Sequence, residues 1–316
     1  MRSGNLLNPY FIFLGLLLGC AAPGLAQFTT GNIVVYQVGD GAASLTGAAT
    51  PVFLQEYTPA TAGQTSPVLS VPMPLTGSAR LMASGTATSE GFITLSADSL
   101  HLVVAGYDAA GGTAGVAGTT AATVNRVVDT VNNSGTAGRA SISATYYSAG
   151  NIRGAVKAAG DNYWASGSNT GTVYLGNTGS AAVIQSANTN TRVIQAFNGN
   201  LYYTTASGTG GLYKISGLPI STTAAANLIA TGTGSSPYGF AVNAAETIVY
   251  IADDRTNGNG GIQKWVYSAG SWGTAPAYTL AAASNTGVRG LAVDFSGAFP
   301  VLYATTTDNK LVSFID

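Results

Sequence analysis

Short runs of alternating apolar residues, each cut off by Gly, Asn, Ser or Thr, constrain this chain more than any other feature. Such a pattern gives strands of five to eight residues joined by turns. Clear cases are Asn32–Val38, Pro51–Tyr57, Leu100–Tyr107 and Thr247–Ala252. Helix signals are nearly absent, so the chain reads as all-β. No Pro/Ser-rich linker or block of charge divides it, which predicts one domain over residues 27–316.

Grouping the strands exposes a repeat. One unit runs through Pro237–Asn243, Thr247–Asp253, Gly261–Tyr267 and Ala277–Leu280. The next runs through Val288–Asp294, Val301–Thr305 and Lys310–Ile315, and earlier units open at Glu90, Ile152 and Thr191. Aligned on Glu90, Arg153, Arg192, Tyr238 and Arg289, the units are 63, 39, 46 and 51 residues apart. A period near 50 with variable loops suits the four-stranded blades of a β-propeller, whereas the coils of a parallel β-solenoid are shorter and more uniform. Three further strands precede Glu90, giving six blades, with roughly seven as the alternative count. The first unit lacks its first strand and the last stops after its third. The sequence therefore predicts either a ring that closes imperfectly or a reading that stops short of the full protein, because closure normally removes an exposed edge.

The pair Pro237-Tyr-Gly-Phe-Ala-Val-Asn243 and Ile248-Val-Tyr-Ile-Ala-Asp253 resembles the repeat of NHL and YVTN-type propellers. The opening, with Gly31–Tyr36, Gly39-Asp-Gly41 and Pro51–Pro59, is similar to a group of secreted bacterial propeller proteins of unassigned activity. The resemblance implies a propeller fold and export, and carries no activity with it.

Export is also legible directly. Arg2, the apolar run Leu14–Leu18 and the small residues before Gln27 make residues 1–26 a signal peptide. The run is too short to span a bilayer, and no later segment approaches about 18 uninterrupted apolar residues. Cys20, the single cysteine, lies within it. Cleavage after Ala26 leaves a mature chain without disulfides, secreted freely. In the alternative, Leu17-Leu18-Gly19-Cys20 acts as a lipobox and Cys20 anchors the protein to the cell envelope through lipid. Charged residues are only 8% of the chain, against about 25% in typical domains. With a net charge of −1 there is no field to recruit nucleic acid.

First strands of a propeller line its channel, so the column Glu90, Arg153, Arg192, Tyr238 and Arg289 is expected on one rim. Guanidinium forks suit carboxylate or phosphate groups, which makes this rim a candidate site for a glycan or an anionic small molecule. The competing expectation is a structural ring in which Glu90 pairs with an arginine. Second strands end on the same face, bringing Tyr107, Asp108, Ser166, Thr204, Thr205, Asp253, Asp254 and Thr305 nearby, either as a polar pocket or as solvated loop ends. His101 has no second histidine to work with and reads as a packed or surface residue. No Gly-x-Ser-x-Gly elbow occurs. The loop Asp253–Gly261 has calcium-loop composition but places Arg255 and Thr256 where ligands belong, so calcium is the minor expectation there and no cofactor the major one. Glycine-rich Gly39–Gly41 and Gly208–Gly211 precede no helix and do not cradle phosphate. A non-enzymatic extracellular binding or surface-interaction propeller is the leading functional expectation. The alternatives are a metal-dependent lactonase or esterase-like propeller and a structural β-solenoid adhesin.

Overall fold

The computed structural model describes residues 27–59, 61–158, 160–176, 181–256, 260–274 and 286–316; residues 1–26, expected to be a signal peptide and including Cys20, lie outside them. Six sheets follow one another as the blades of a six-blade β-propeller. Blade 1 holds Ile33–Val38, Val52–Tyr57 and Leu69–Pro72. Blade 2 holds Thr94–Leu95, His101–Tyr107, Arg126–Asn132 and Ala137–Ser143. Blade 3 holds Ile152–Lys157, Tyr163–Gly167, Thr172–Tyr174 and Ala182–Gln185. Blade 4 holds Thr191–Phe197, Asn200–Thr205, Gly211–Ile215 and Ala225–Ala230. Blade 5 holds Pro237–Val242, Ile248–Asp253, Gly261–Ser268 and Ser271–Thr274. Blade 6 holds Val288–Asp294, Val301–Thr306 and Leu311–Ile315. Every blade pairing is antiparallel, which removes the parallel β-solenoid expectation. The fourth strand of blade 5 is a hairpin at Ser271–Thr274; the segment expected to supply it, 277–280, lies outside the described residues. No helix among the described residues is long and apolar enough to cross a membrane.

Strand alternation explains the packing. Successive side chains point to opposite faces, so each middle strand feeds two apolar clusters. Val104 and Val127 of blade 2 meet Val52 and Leu54 of blade 1, while Val103 and Ala105 meet Ala155 and Ala165 of blade 3. Trp164 of blade 3 packs with Leu201 and Tyr203 of blade 4, whose Tyr202 faces Phe240 and Ile251 of blade 5. Tyr250 of blade 5 then meets Leu302 and Ala304 of blade 6. One ladder position carries a polar clamp across three of these boundaries. Trp164 Nε1 donates to the Pro219 carbonyl of blade 4 at 2.7 Å. Tyr202 and Lys214 hold Glu246 of blade 5 at 2.8 and 3.0 Å. Tyr250 and Lys264 hold Asp316 of blade 6.

Five clusters thus fill the five boundaries from blade 1 to blade 6, and among the described residues none lies between blade 6 and blade 1. Blade 6 records this asymmetry along its middle strand, where Leu302, Ala304 and Thr306 are buried but Val301, Tyr303 and Thr305 only half so. On its last strand Ile315 is 67% exposed. Among the described residues, the boundary between the first and last blades is thus a seam less filled than the other five.

Two consequences are measurable. In native-state hydrogen exchange, amides of Val301–Thr306 and Leu311–Ile315 should exchange well before those of Tyr163–Gly167 and Asn200–Thr205, since opening free energy follows buried contact; uniform protection around the ring would contradict the seam. At Gly239 an added Cβ would lie 2.7 Å from the Arg289 carbonyl oxygen and 2.8 Å from the Leu291 nitrogen, both rigid backbone. Gly239→Ala is expected to lower unfolding free energy by about 1–3 kcal/mol in urea titrations.

Candidate functional site

A repeated irregularity builds the site. In blade 3 the residues Ile152 and Gly154 pair with the consecutive Gly167 and Ser166, leaving Arg153 as an extra residue. The same single-residue excess falls between Thr191 and Ile194 in blade 4, between Pro237 and Phe240 in blade 5, and between Val288 and Gly290 in blade 6. A bulge of this kind takes one residue out of the ladder and re-aims its side chain. Arg153, Arg192, Tyr238 and Arg289 all sit at it, so the aligned column converges at one end of the first strands.

Three column residues, Glu90, Arg153 and Arg192, reach the approach to the next blade. Glu90 accepts hydrogen bonds from Asn151 Nδ2 (2.5 Å), Tyr107 Oη (2.5 Å) and the Ser84 N–H (3.0 Å). Arg153 Nη1 donates to Asn190 Oδ1 and to the Thr191 carbonyl at 3.0 Å. Arg192 Nη1 donates to Ser236 Oγ at 2.8 Å and to the Pro237 carbonyl at 3.1 Å. The residues gripped, Asn151, Asn190 and Ser236, each lie two places before the next column residue. The equivalent place in blade 6 is Gly287, and there the pattern reverses: Arg289 turns back, its Nε 3.1 Å from Asp254 Oδ2 of blade 5.

Tyr238 lies at the centre of the group, only 4% exposed. The Arg192 guanidinium stacks 3.9 Å from its ring centroid, Arg289 lies at 6.0 Å, and Phe92 of the segment leading into blade 2 packs at 5.6 Å between centroids. Burial, and for Arg153 next the charge of Arg192, pulls both guanidinium pKa values below their ordinary range. Burial pushes the Glu90 carboxyl upward against the pull of Asn151, Tyr107, the Ser84 N–H and the Arg153 charge. The expected Glu90–arginine ion pair is not formed: Glu90 is held by neutral donors, and neither Arg153 nor Arg192 forms an ion pair among the described residues. The Nε atoms of both arginines are buried with no hydrogen-bond partner.

The remaining sequence candidates separate into two groups. Tyr107 belongs to the cluster through Glu90, and Asp254 through Arg289. Asp108 is paired with Arg80 at 2.7 Å, and Asp253 with Arg255 at 2.7 Å. Ser166, Thr204 and Thr205 are neither solvated loop ends nor pocket walls, being fully buried and structural. Ser166 Oγ donates to the Arg192 carbonyl and Thr204 Oγ1 to the Tyr238 carbonyl, at 2.5 and 2.8 Å. Thr305 Oγ1 accepts the Gly290 N–H that the bulge frees, at 2.9 Å. His101 stands at the far end of the strand from Tyr107, 4.0 Å from Asp98. Among the described residues no three His, Cys, Asp or Glu side chains converge to hold a metal ion. The Asp253 carboxylate is also spent on its neighbours, and 257–259 of its loop lie outside the described residues.

Sequence reasoning missed Phe92, Tyr36, Asn151, Asn190 and Ser236. A faint signal existed for the last three, in Asn-x-Arg at 151–153 and 190–192 and Ser-x-Tyr at 236–238. None existed for Tyr36, whose ring packs where a Cβ on Gly91 would lie, at 2.4 Å; Gly91 itself has φ +77°.

No family model matches the chain, and no curated protein matches it. Similar solved structures include the periplasmic gluconolactonase of Pseudomonas aeruginosa, at 13% identity over 90% of this chain and 78% of that one, with a TM-score of 0.49. A gluconolactonase of Xanthomonas campestris is 14% identical over 77% of this chain and 84% of its own, TM-score 0.45. The extracellular domain of a B. thetaiotaomicron protein described as a one component system is 14% identical over 92% of this chain, TM-score 0.43. The chain spans about a third of that protein's length, 33%. Likenesses this distant carry nothing about activity, and the fold rests on the strand pairing itself.

Glu90 links the segment before blade 2 to Tyr107 and to Asn151 of blade 3. Glu90→Ala strands three buried or half-buried donors, and is expected to lower stability by about 2 kcal/mol or more in urea unfolding. A change within about 0.5 kcal/mol would show that water replaces the carboxylate without loss.

Proposed function

We propose that this chain is an exported binding propeller that takes an anionic ligand at the channel mouth, over Arg153 and Arg192. The observation that supports this reading most is the pair of guanidinium groups that stand close together, without a carboxylate partner, with their Nε atoms buried and unbonded. An unsatisfied buried donor costs about 1–3 kcal/mol, so a group that satisfies it binds with that much in its favour. The carboxylates whose charges reach them, Glu90 for Arg153 and Asp254 and Asp253 for Arg192, form no ion pair with either guanidinium and are held by other donors. Export by the leader 1–26, released freely or anchored through Cys20, belongs to the same reading.

Binding of a panel of neutral and acidic sugars and small organic acids, measured by calorimetry, tests it. The double variant Arg153→Ala/Arg192→Ala should lose affinity by more than tenfold for the ligand that binds, with its melting temperature checked in parallel. Full affinity in a folded double variant would place the ligand elsewhere and overturn the reading.

A further inference from the structure

The three rim arginines are not equivalent, and their difference identifies the ligand's chemistry. A guanidinium offers two edges to a planar anion, the end formed by its two Nη atoms and the side formed by Nε and Nη2. In both Arg153 and Arg192 the protein engages Nη1 alone. The Nη1 contacts forbid the end-on edge and leave the side edge whole. Arg289, by contrast, has already given its Nε to Asp254.

The rest of the molecule shows what that side edge takes. Arg80 meets Asp108 through Nε at 2.7 Å, and Arg139 meets Asp129 through Nε at 2.5 Å. Arg255 clasps Asp253 through both atoms of the edge, Nε at 2.9 Å and Nη2 at 2.7 Å. Arg126 Nε is likewise buried without a partner, but its Nη atoms are consumed by the carbonyls of Ala117, Thr119, Val124 and Gly150, which leaves no whole edge free. Among the described arginines, Arg153 and Arg192 alone keep an unfilled side edge beside the channel. Arg153 is also 9% exposed, so its charge is largely withdrawn from water.

We infer that the ligand of this site carries a carboxylate, received on the Nε/Nη2 edges of Arg153 and Arg192 in the way Arg255 receives Asp253. The inference rests on the channel-mouth reading above and narrows it. Nη2 is not among the buried unpartnered atoms, so an entering carboxylate meets it first, and Nε follows as the guanidinium tilts about its Nη1 anchors. Tyr238, stacked on Arg192, holds the plane of that fork. The nearby Glu90, whose negative charge acts on Arg153, favours a singly charged planar acid over a doubly charged phosphate. Two sources share this chemistry, an acidic sugar and a small organic acid.

The test varies the ligand before the protein, which keeps folding out of the result. Galacturonic acid and propionate are titrated into the unaltered mature protein beside galacturonic acid methyl ester, a sulfated monosaccharide and inorganic phosphate. Carboxylate binding that falls more than tenfold on esterification, and again by at least tenfold in Arg153→Lys and Arg192→Lys, supports the inference, because lysine keeps the charge and loses the fork. Preference among the acids then tells sugar from simple acid. Equal binding of the ester, the sulfate or phosphate, or lysine variants of unchanged affinity, overturns the carboxylate assignment while leaving a channel-mouth ligand in place. No binding by any compound, charged or neutral, overturns both.

Discussion

One extra residue in the innermost strand of each of blades 3 to 6 is the constraint on which the rest of the molecule depends. Without it, Arg153, Arg192, Tyr238 and Arg289 would alternate into the apolar faces that bind one blade to the next. With it, each leaves the ladder: the three arginines bond residues flanking a neighbouring strand, and Tyr238 packs against Arg192 and Phe92. Backbone groups set free by the bulge are taken up locally: Thr204 Oγ1 accepts the Val193 N–H at 3.3 Å, and Thr305 Oγ1 accepts that of Gly290. In blades 4 and 6 the irregularity is thus supported on the ladder side, and in blades 3, 4 and 6 its extra residue is an arginine.

That arrangement makes one row of residues serve two ends. A guanidinium has five donors, more than any single neighbour can satisfy. Nη1 of Arg153 and of Arg192 secures the next blade, and the remaining donors are surplus to the fold. Where a carboxylate stands close, as Asp254 does beside Arg289, the surplus is absorbed. Where none stands close, a buried charge and an unbonded donor persist, a costly condition in a chain so sparing of charge. In the function proposed above, the structural ring and the anion site are two uses of the same side chains.

The architecture was legible because period-2 alternation and turn residues survive in nearly every blade. The column itself was legible because Arg-Gly or Tyr-Gly recurs at 153–154, 238–239 and 289–290. What alignment could not convey was which neighbour each side chain meets. Ser166, Thr204 and Thr205 look like loop-end hydroxyls in the sequence, yet adjacent blades bury them completely. Phe92 reaches Tyr238 across three blades, a contact that no local spacing encodes. Glu90 looked like a partner for arginine, but Asn151 and Tyr107 arrive at its carboxylate first.

The side-chain Nε–H resonances of the arginines, followed by nitrogen-detected magnetic resonance during a carboxylate titration, test the central claim most directly. The account predicts that the signals of Arg153 and Arg192 shift together and saturably, while those of Arg289 and Arg255, already held by Asp254 and Asp253, stay in place. Movement of Arg289 without Arg153 and Arg192, or no saturable movement at all, would contradict it.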